Sequence, residues 1–203
     1  MDKILTITFS PCIDKSFSIP ELIPEKKLRT SIPKTEPGGG GINVARVLAR
    51  LGANATALYP SGGCTGKALD QLMAIEHIPV IAVKTQNETR ESIIVLETST
   101  NKQFRFTMPA TSLSEKEIKR ILEPIEHVKK LDFIVVSGSF PAGVSPLLFS
   151  QINVIAGRKK AKLIVDTSGE MLKHDVARQK VFIAYHLLPP VSYYCNPRFR
   201  QLL

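Results

Sequence analysis

Four consecutive glycines, Gly38 to Gly41, run directly into the segment Ile42-Asn43-Val44-Ala45-Arg46. A glycine loses more backbone freedom on folding than any other residue, so four in a row need a structural reason. Either the backbone must adopt positive φ there, or something bulky must lie directly on the main chain. From about Asn43 the chain reads as a helix, with Val44, Val47, Leu48 and Leu51 on one face and Arg46 and Arg50 on the other. The first turn of such a helix offers unpaired N–H groups and the positive end of a dipole, which suits an anion or a polyol. A flexible linker would not end in so well-formed a helix start.

The surrounding pattern is α/β. Lys3 to Phe9 alternates like a β-branched strand and runs into Ser10-Pro11-Cys12-Ile13-Asp14, which leaves Asp14 near the strand's C-terminal end. Gly52 is placed to stop the glycine-led helix. Ala55 to Tyr59 reads as a strand and Pro60-Ser61-Gly62-Gly63 as a turn, and Thr65 is placed to cap a second helix. Pro79 to Val83 reads as a third strand. Strands and helices alternating at this spacing predict parallel βαβ units. Ser92 to Glu97 and Gln103 to Met108 then predict a hairpin, which with the Pro-punctuated residues 15–35 would form a small separate sheet. Ser114 and Glu117 form a capping box ahead of Ile118, Ile121 and Ile125, and Pro124 is expected to kink or end that helix. Leu131 to Val136 is a strand ending in Ser137-Gly138-Ser139. A helix is expected from Pro146 to Arg158, then a strand from Lys162 ending in Asp166. Asp14, Ser139 and Asp166 thus collect at strand C-terminal ends, the edge where open α/β sheets bind ligands.

Composition narrows the function classes. With 43% hydrophobic and 22% charged residues, the chain reads as an ordinary soluble globular protein. No apolar run approaches the ~20 residues that cross a bilayer, and the N-terminus lacks a signal-peptide layout. No membrane association is expected. The three cysteines, Cys12, Cys64 and Cys195, are far apart and predict a reducing, cytoplasmic setting. The net charge of +9 is scattered, without interleaved aromatics, so no nucleic-acid partner is expected; a basic surface around a site for phosphorylated small molecules accounts for it. The dinucleotide fingerprint fails, because Asn43 stands at its third glycine and no acidic residue follows before Thr65. The P-loop fails at Gly62 to Ala68 on spacing and on the terminal Ala. The four histidines form no metal-ligand pair at helical spacing.

The segments Gly38 to Arg46, Leu51-Gly52 and Pro60-Ser61-Gly62-Gly63 resemble the N-terminal signature of the PfkB, or ribokinase-like, carbohydrate kinases. Leu5 to Asp14 is similar to that family's opening strand and sugar-binding aspartate. Ser137-Gly138-Ser139-Phe140-Pro141-Ala142-Gly143-Val144 resembles its S-G-S-x-P-x-G segment, and Phe104 to Pro109 also fits. The resemblance covers about residues 1–172. It implies a ribokinase-like three-layer α/β/α sheet with a small antiparallel β lid, built from segments 15–35 and 88–110. It also implies ATP-dependent phosphoryl transfer, with Mg2+, to a phosphorylated ketohexose. Fructose 6-phosphate is the first choice, with tagatose 6-phosphate and fructose 1-phosphate as alternatives. Asp14 and Asn43 would bind sugar hydroxyls, Gly39, Gly40 and Gly41 would form the floor, and Ser139 would line the pocket. Arg90 would meet the substrate phosphate, helped by Arg105 and Lys27, because the guanidinium fork suits phosphate oxygens. Asp166 would lie near the transfer region. A homodimer through the lid is implied as well.

Two family segments have no counterpart in this sequence. K-P-N-x-x-E serves metal and nucleotide; G-A-G-D supplies the anion hole and the catalytic base. Residues 1–180 therefore read as the N-terminal part of such a kinase domain, with the C-terminal part missing, and 181–203 as an atypical, out-of-frame tail. No catalytic residue is assigned. The chain alone is expected to be inactive, at most a binder of sugar phosphate.

Overall fold

A computed structural model describes residues 2–141, 144–145 and 147–167 and the backbone of 182–185. Its main layer is a six-stranded sheet in the order β10-β9-β8-β1-β4-β5. The strands are β1 (Lys3–Ile7), β4 (Asn54–Gly62), β5 (Val80–Thr85), β8 (Phe133–Ser137), β9 (Lys162–Thr167) and β10 (Phe182–Tyr185). All of its pairings are parallel. The near-continuous apolar runs in β1 and β8 follow from this, since a parallel sheet is covered on both faces. Leu5, Thr6 and Ile7 are fully buried.

Helices α1 (Gly40–Arg50) and α2 (Gly63–Ile75) pack with Ile13, Ala57, Tyr59 and Ile78 in one cluster. Helices α3 (Glu115–His127) and α4 (Leu147–Lys159) close a larger cluster around Leu5, Ile7, Ile134 and Val136. The result is the three-layer arrangement that the strand–helix alternation predicts.

A second sheet has the order β3-β2-β6-β7, from β2 (Cys12–Ile19), β3 (Lys34–Gly38), β6 (Arg90–Glu97) and β7 (Lys102–Thr107). It is mixed rather than antiparallel: β2 and β6 pair in parallel at its centre, flanked by antiparallel β3 and β7. The reason is connectivity. Both β2 and β6 leave the C-terminal edge of the main sheet in the same sense, so they meet side by side.

Three local expectations change. The first helix begins at Gly40, not Asn43, so the last two glycines form its first turn. Helix α2 begins at Gly63 and is not capped by Thr65; instead the Thr65 N–H donates to Glu88 Oε1 at 2.5 Å. Pro124 does not end α3, which runs on to His127 with Val128 N–H bonded to the Pro124 carbonyl at 3.1 Å. Ile121 and Ile125 are fully buried beside it, so tertiary packing outweighs the one bond that proline removes. Most of the expected tail at 181–203, and Ala142, Gly143 and Ser168 to Glu170, lie outside the described residues.

The capping box forms. Glu117 accepts from Ser114 N–H at 2.8 Å and from Gln86 N–H at 2.7 Å, and Ser114 Oγ accepts from Glu117 N–H at 3.3 Å. Burial alone would raise the Glu117 pKa, but the two main-chain donors and the Ser114 hydroxyl carry it below its usual value. A depressed carboxylate stabilises the fold above its unfolded pKa, and that contribution is lost as pH falls through the folded value. Glu117→Ala should therefore cost about 2 kcal/mol at pH 7. Urea unfolding should show the gap between parent and variant narrowing as pH is lowered below 4.5, the ordinary carboxylate value.

Candidate active site

Strand β1 is the switch point of the main sheet. From it the chain winds one way through β4 and β5, while β8, β9 and β10 lie on its other side. A crevice opens where such connections diverge, at the strands' C-terminal ends. Here the first turn of α1 fills the bottom of that crevice. Ile42 N–H donates to Thr8 Oγ1 at 2.9 Å, which anchors the helix start to the end of β1. A Cβ on Gly41 would lie 2.6 Å from the Ile7 carbonyl oxygen, and one on Gly40 would lie 2.4 Å from Ser137 Oγ and 2.6 Å from Gly138 N. A Cβ on Gly38 would lie 2.4 Å from Asp14 Oδ2. Gly39 alone of the four has positive φ, at 120°. Both explanations for the run therefore operate, and the bulky neighbour is the protein's own strand ends.

Above this floor lies a cleft of about 620 Å³. One wall is the second sheet. Its register puts Cys12, Asp14 and Ser16 of β2 beside Arg90, Ser92 and Ile94 of β6, and Thr107 and Arg105 of β7 beside Ser92 and Ile94, with Gln103 one row further on. All nine line the cleft. The facing side is built from Gly39, Gly40 and Asn43 at the helix start and from Ser139 after β8. Asp14, Asn43, Arg90, Arg105, Ser139, Gly39 and Gly40 are thus brought together. Gly41 is buried behind the floor. Lys27 is exposed in the irregular 20–33 segment and does not line the cleft. Asp166, at the end of β9, accepts from Ser137 Oγ at 2.9 Å and sits behind the glycine floor.

The electrostatics favour an anion. Five cleft residues are basic (Lys34, Arg46, Arg50, Arg90, Arg105) and two are acidic (Asp14, Glu36). The Arg90 guanidinium donates to the Ser10 carbonyl at 3.3 Å and the Met108 carbonyl at 3.1 Å, while its buried Nε finds no partner among the described residues. Cys12 Sγ donates to Asp14 Oδ1 at 3.3 Å. Burial foremost, and the neighbouring Asp14 carboxylate, push that thiol up to about 12, so it is a neutral donor rather than a nucleophile.

Motif reading missed Cys12, Glu36, Arg46 and Ser92. For Cys12 and Ser92 the signal is the two-residue alternation along β2 and β6, visible only once the strand register is known; Glu36 lies on β3 opposite Asp14, and Arg46 on α1.

Over residues 8–185 the sequence matches the family described as pfkB family carbohydrate kinase. The chain belongs to that family. It is 40% identical over 177 residues to ATP-dependent 6-phosphofructokinase isozyme 2 of Escherichia coli, a match covering 87% of this chain and 57% of the relative. The enzyme of the same name from Mycobacterium tuberculosis is 39% identical, with 85% and 51% covered. The crystal structure of Escherichia coli phosphofructokinase-2 in complex with fructose-6-phosphate superposes with a TM-score of 0.79 at 41% identity, covering 85% of this chain and 57% of that one. The chain thus spans little more than half the length of the PfkB relatives it matches. No helix among the described residues is long and apolar enough to cross a membrane.

The glycine floor makes this PfkB site sensitive to a single methyl group. Gly40→Ala should destabilise the fold by about 2 kcal/mol, because the backbone of β8 cannot give way. Gly157→Ala, in α4 with nothing within 4 Å of the added carbon, should stabilise by about 0.5 kcal/mol. Opposite signs in parallel urea melts are the expected result.

Proposed function

We propose that this cleft binds a phosphorylated ketohexose, fructose 6-phosphate first, as the acceptor side of an ATP-dependent sugar-phosphate kinase. The supporting observation is the pairing of its walls. Arginines 90 and 105 lie on the sheet that faces Asn43 and Ser139, with Asp14 in the row between theirs. A phosphate placed at Arg90 gives its buried Nε a charge-assisted partner and takes two oxygens in one planar fork. The sugar then extends over the glycine floor, with its hydroxyls within reach of a carboxylate, an amide and a hydroxyl. In that pose Asp14 accepts hydroxyl protons as hydrogen bonds, and Asn43 and Ser139 set the ring's orientation. This is positioning, the larger part of phosphoryl-transfer catalysis.

ATP and a divalent metal are the partners that the family implies. The described residues do not fit a magnesium–nucleotide site. No group of three or more His, Cys, Asp or Glu comes together among them, and Asp166 is already engaged by Ser137. No G-A-G-D segment occurs in the sequence. The reading for residues 1–203 is therefore acceptor binding without turnover. The outer face of the second sheet, where Phe106 is 49% exposed in the row of Ile93, is read as a contact between two copies of the chain.

Calorimetric titration tests the acceptor site. Fructose 6-phosphate should bind and fructose should not, and Arg90→Ala should weaken binding about thirtyfold. Equal heats from the two sugars would remove the phosphate reading. In a coupled assay with magnesium-ATP, no turnover should rise above background; a rate of about 1 per second or more would show a complete kinase. Sedimentation should give a dimer, and Phe106→Glu a monomer.

A further inference from the structure

One charged group in the cleft is tied to more of the fold than any hydroxyl-binding role requires. Arg46 is only 13% exposed along its side chain. Its Nε donates to Glu76 Oε2 at 2.8 Å and its Nη2 pairs with Glu76 Oε1 at 2.7 Å, a two-pronged pair with the residue that caps α2. The same Nη2 reaches Glu36 Oε1 at 3.2 Å. Nη1 donates to the Pro37 carbonyl at 3.3 Å and makes a long contact of 3.5 Å with Asn43 Oδ1. One guanidinium therefore joins α1, the end of α2 and the strand that leads into the glycines.

The placement of Glu36 explains why this matters for the cleft. Glu36 and Asp14 are direct partners in the antiparallel β2–β3 pair, on the face that lines the cleft. Two carboxylates opposite each other repel. Lys34 also pairs with Glu36 at 2.9 Å, but it is 71% exposed and its charge is screened by solvent. Arg46 is the sheltered cation of the pair. Burial alone would raise the Glu36 pKa, yet Lys34 and Arg46 together hold it below the usual carboxylate range.

We propose that Arg46 is a positioning residue of the cleft: it cancels the Glu36 charge opposite Asp14 and fixes Pro37 and Asn43, so that Asp14 and Asn43 meet a ligand hydroxyl in one geometry. The binding arm of the test rests on the sugar-phosphate reading given above; the exchange arm does not. Four proteins decide it: the parent chain, Arg46→Met, Glu36→Gln and the double variant. Titrated with fructose 6-phosphate, Arg46→Met should bind about tenfold more weakly, because it strands a carboxylate beside Asp14. Glu36→Gln supplies the fourth corner of the cycle, and the double variant should recover to within about threefold of the parent. A double variant no better than Arg46→Met, or an Arg46→Met that binds like the parent, overturns the proposal. If Arg46→Met does not fold, Arg46→Lys replaces it. A single ammonium cannot span Glu36 and Glu76 together, so about a threefold loss is expected, and unchanged binding overturns.

Hydrogen exchange on the ligand-free proteins gives the second readout. Amides of residues 36–43 should exchange about tenfold faster in Arg46→Met while those of α3 stay unchanged. Unaltered exchange at 36–43 overturns the proposal. If the parent gives no heat with fructose 6-phosphate, the substrate reading falls, and the exchange result decides the role of Arg46 by itself.

Discussion

The close approach of one helix start to two strand ends governs the rest of this molecule. Helix α1 can enter the crevice between β1 and β8 only because Gly40 and Gly41 carry no side chain where Ser137 Oγ and the Ile7 carbonyl lie. The contact is not merely tolerated. Thr8 Oγ1 takes the Ile42 N–H, one of the four donors that a helix start leaves unpaired. Asn43 N–H is spent on the Gly39 carbonyl at 2.9 Å. The dipole's positive end is thereby held at the bottom of the cleft, with no acidic residue in the first turn to neutralise it.

The second sheet depends on the same seam. It leaves the main sheet at Ser10 and Pro11, returns through Gly38 and Gly39, leaves again at Glu88 and Thr89, and rejoins after Thr107. Arg90 bonds the Ser10 carbonyl at the first of these crossings and the Met108 carbonyl at the last. Gly62 and Thr89 exchange bonds at a third: Thr89 N–H to the Gly62 carbonyl at 3.0 Å and Gly62 N–H to Thr89 Oγ1 at 3.1 Å. A sheet pinned in this way presents a fixed polar face. The parallel β2–β6 pairing keeps Asp14 in the row of Ser92 and Ser16 in that of Ile94, so Cys12, Asp14 and Ser16 look into the cleft beside Arg90, Ser92 and Ile94.

Much of this was legible in the sequence, because the signals were local or repetitive. Alternating strands and helices gave the parallel sheet. Ser114 with Glu117 gave a cap that forms as expected. Asp14, Arg90, Asn43 and Ser139 sit in or beside recognisable segments, and the fold brings them to one cleft. What failed needed long-range information. The lid's central pair is parallel because of where two distant strands leave the main sheet, and nothing in either hairpin-like segment records that. Glu88 caps α2 from 23 residues away, so local reading gave the cap to Thr65. Glycine 41 carried the same motif weight as Gly40, yet the helix turn rotates it away from the cleft and into the core.

The cleft's charge ties these levels together. Two carboxylates on neighbouring strands would push the strands apart, and five basic side chains around one opening would push each other apart in the absence of an anion. The fold meets the first problem internally, with Arg46 and Lys34 on Glu36. The second is met only in part. Arg90 is held by two carbonyl oxygens, which accept its protons but carry no compensating charge. A guanidinium whose buried Nε is unpartnered is stabilised more by an anion than by further backbone dipoles. Part of the cost of binding an anion is thus met in the free protein, in the ordering of the two walls. A cleft preformed in this way favours an anionic ligand over a neutral one of the same shape, because part of the ordering cost is met before binding.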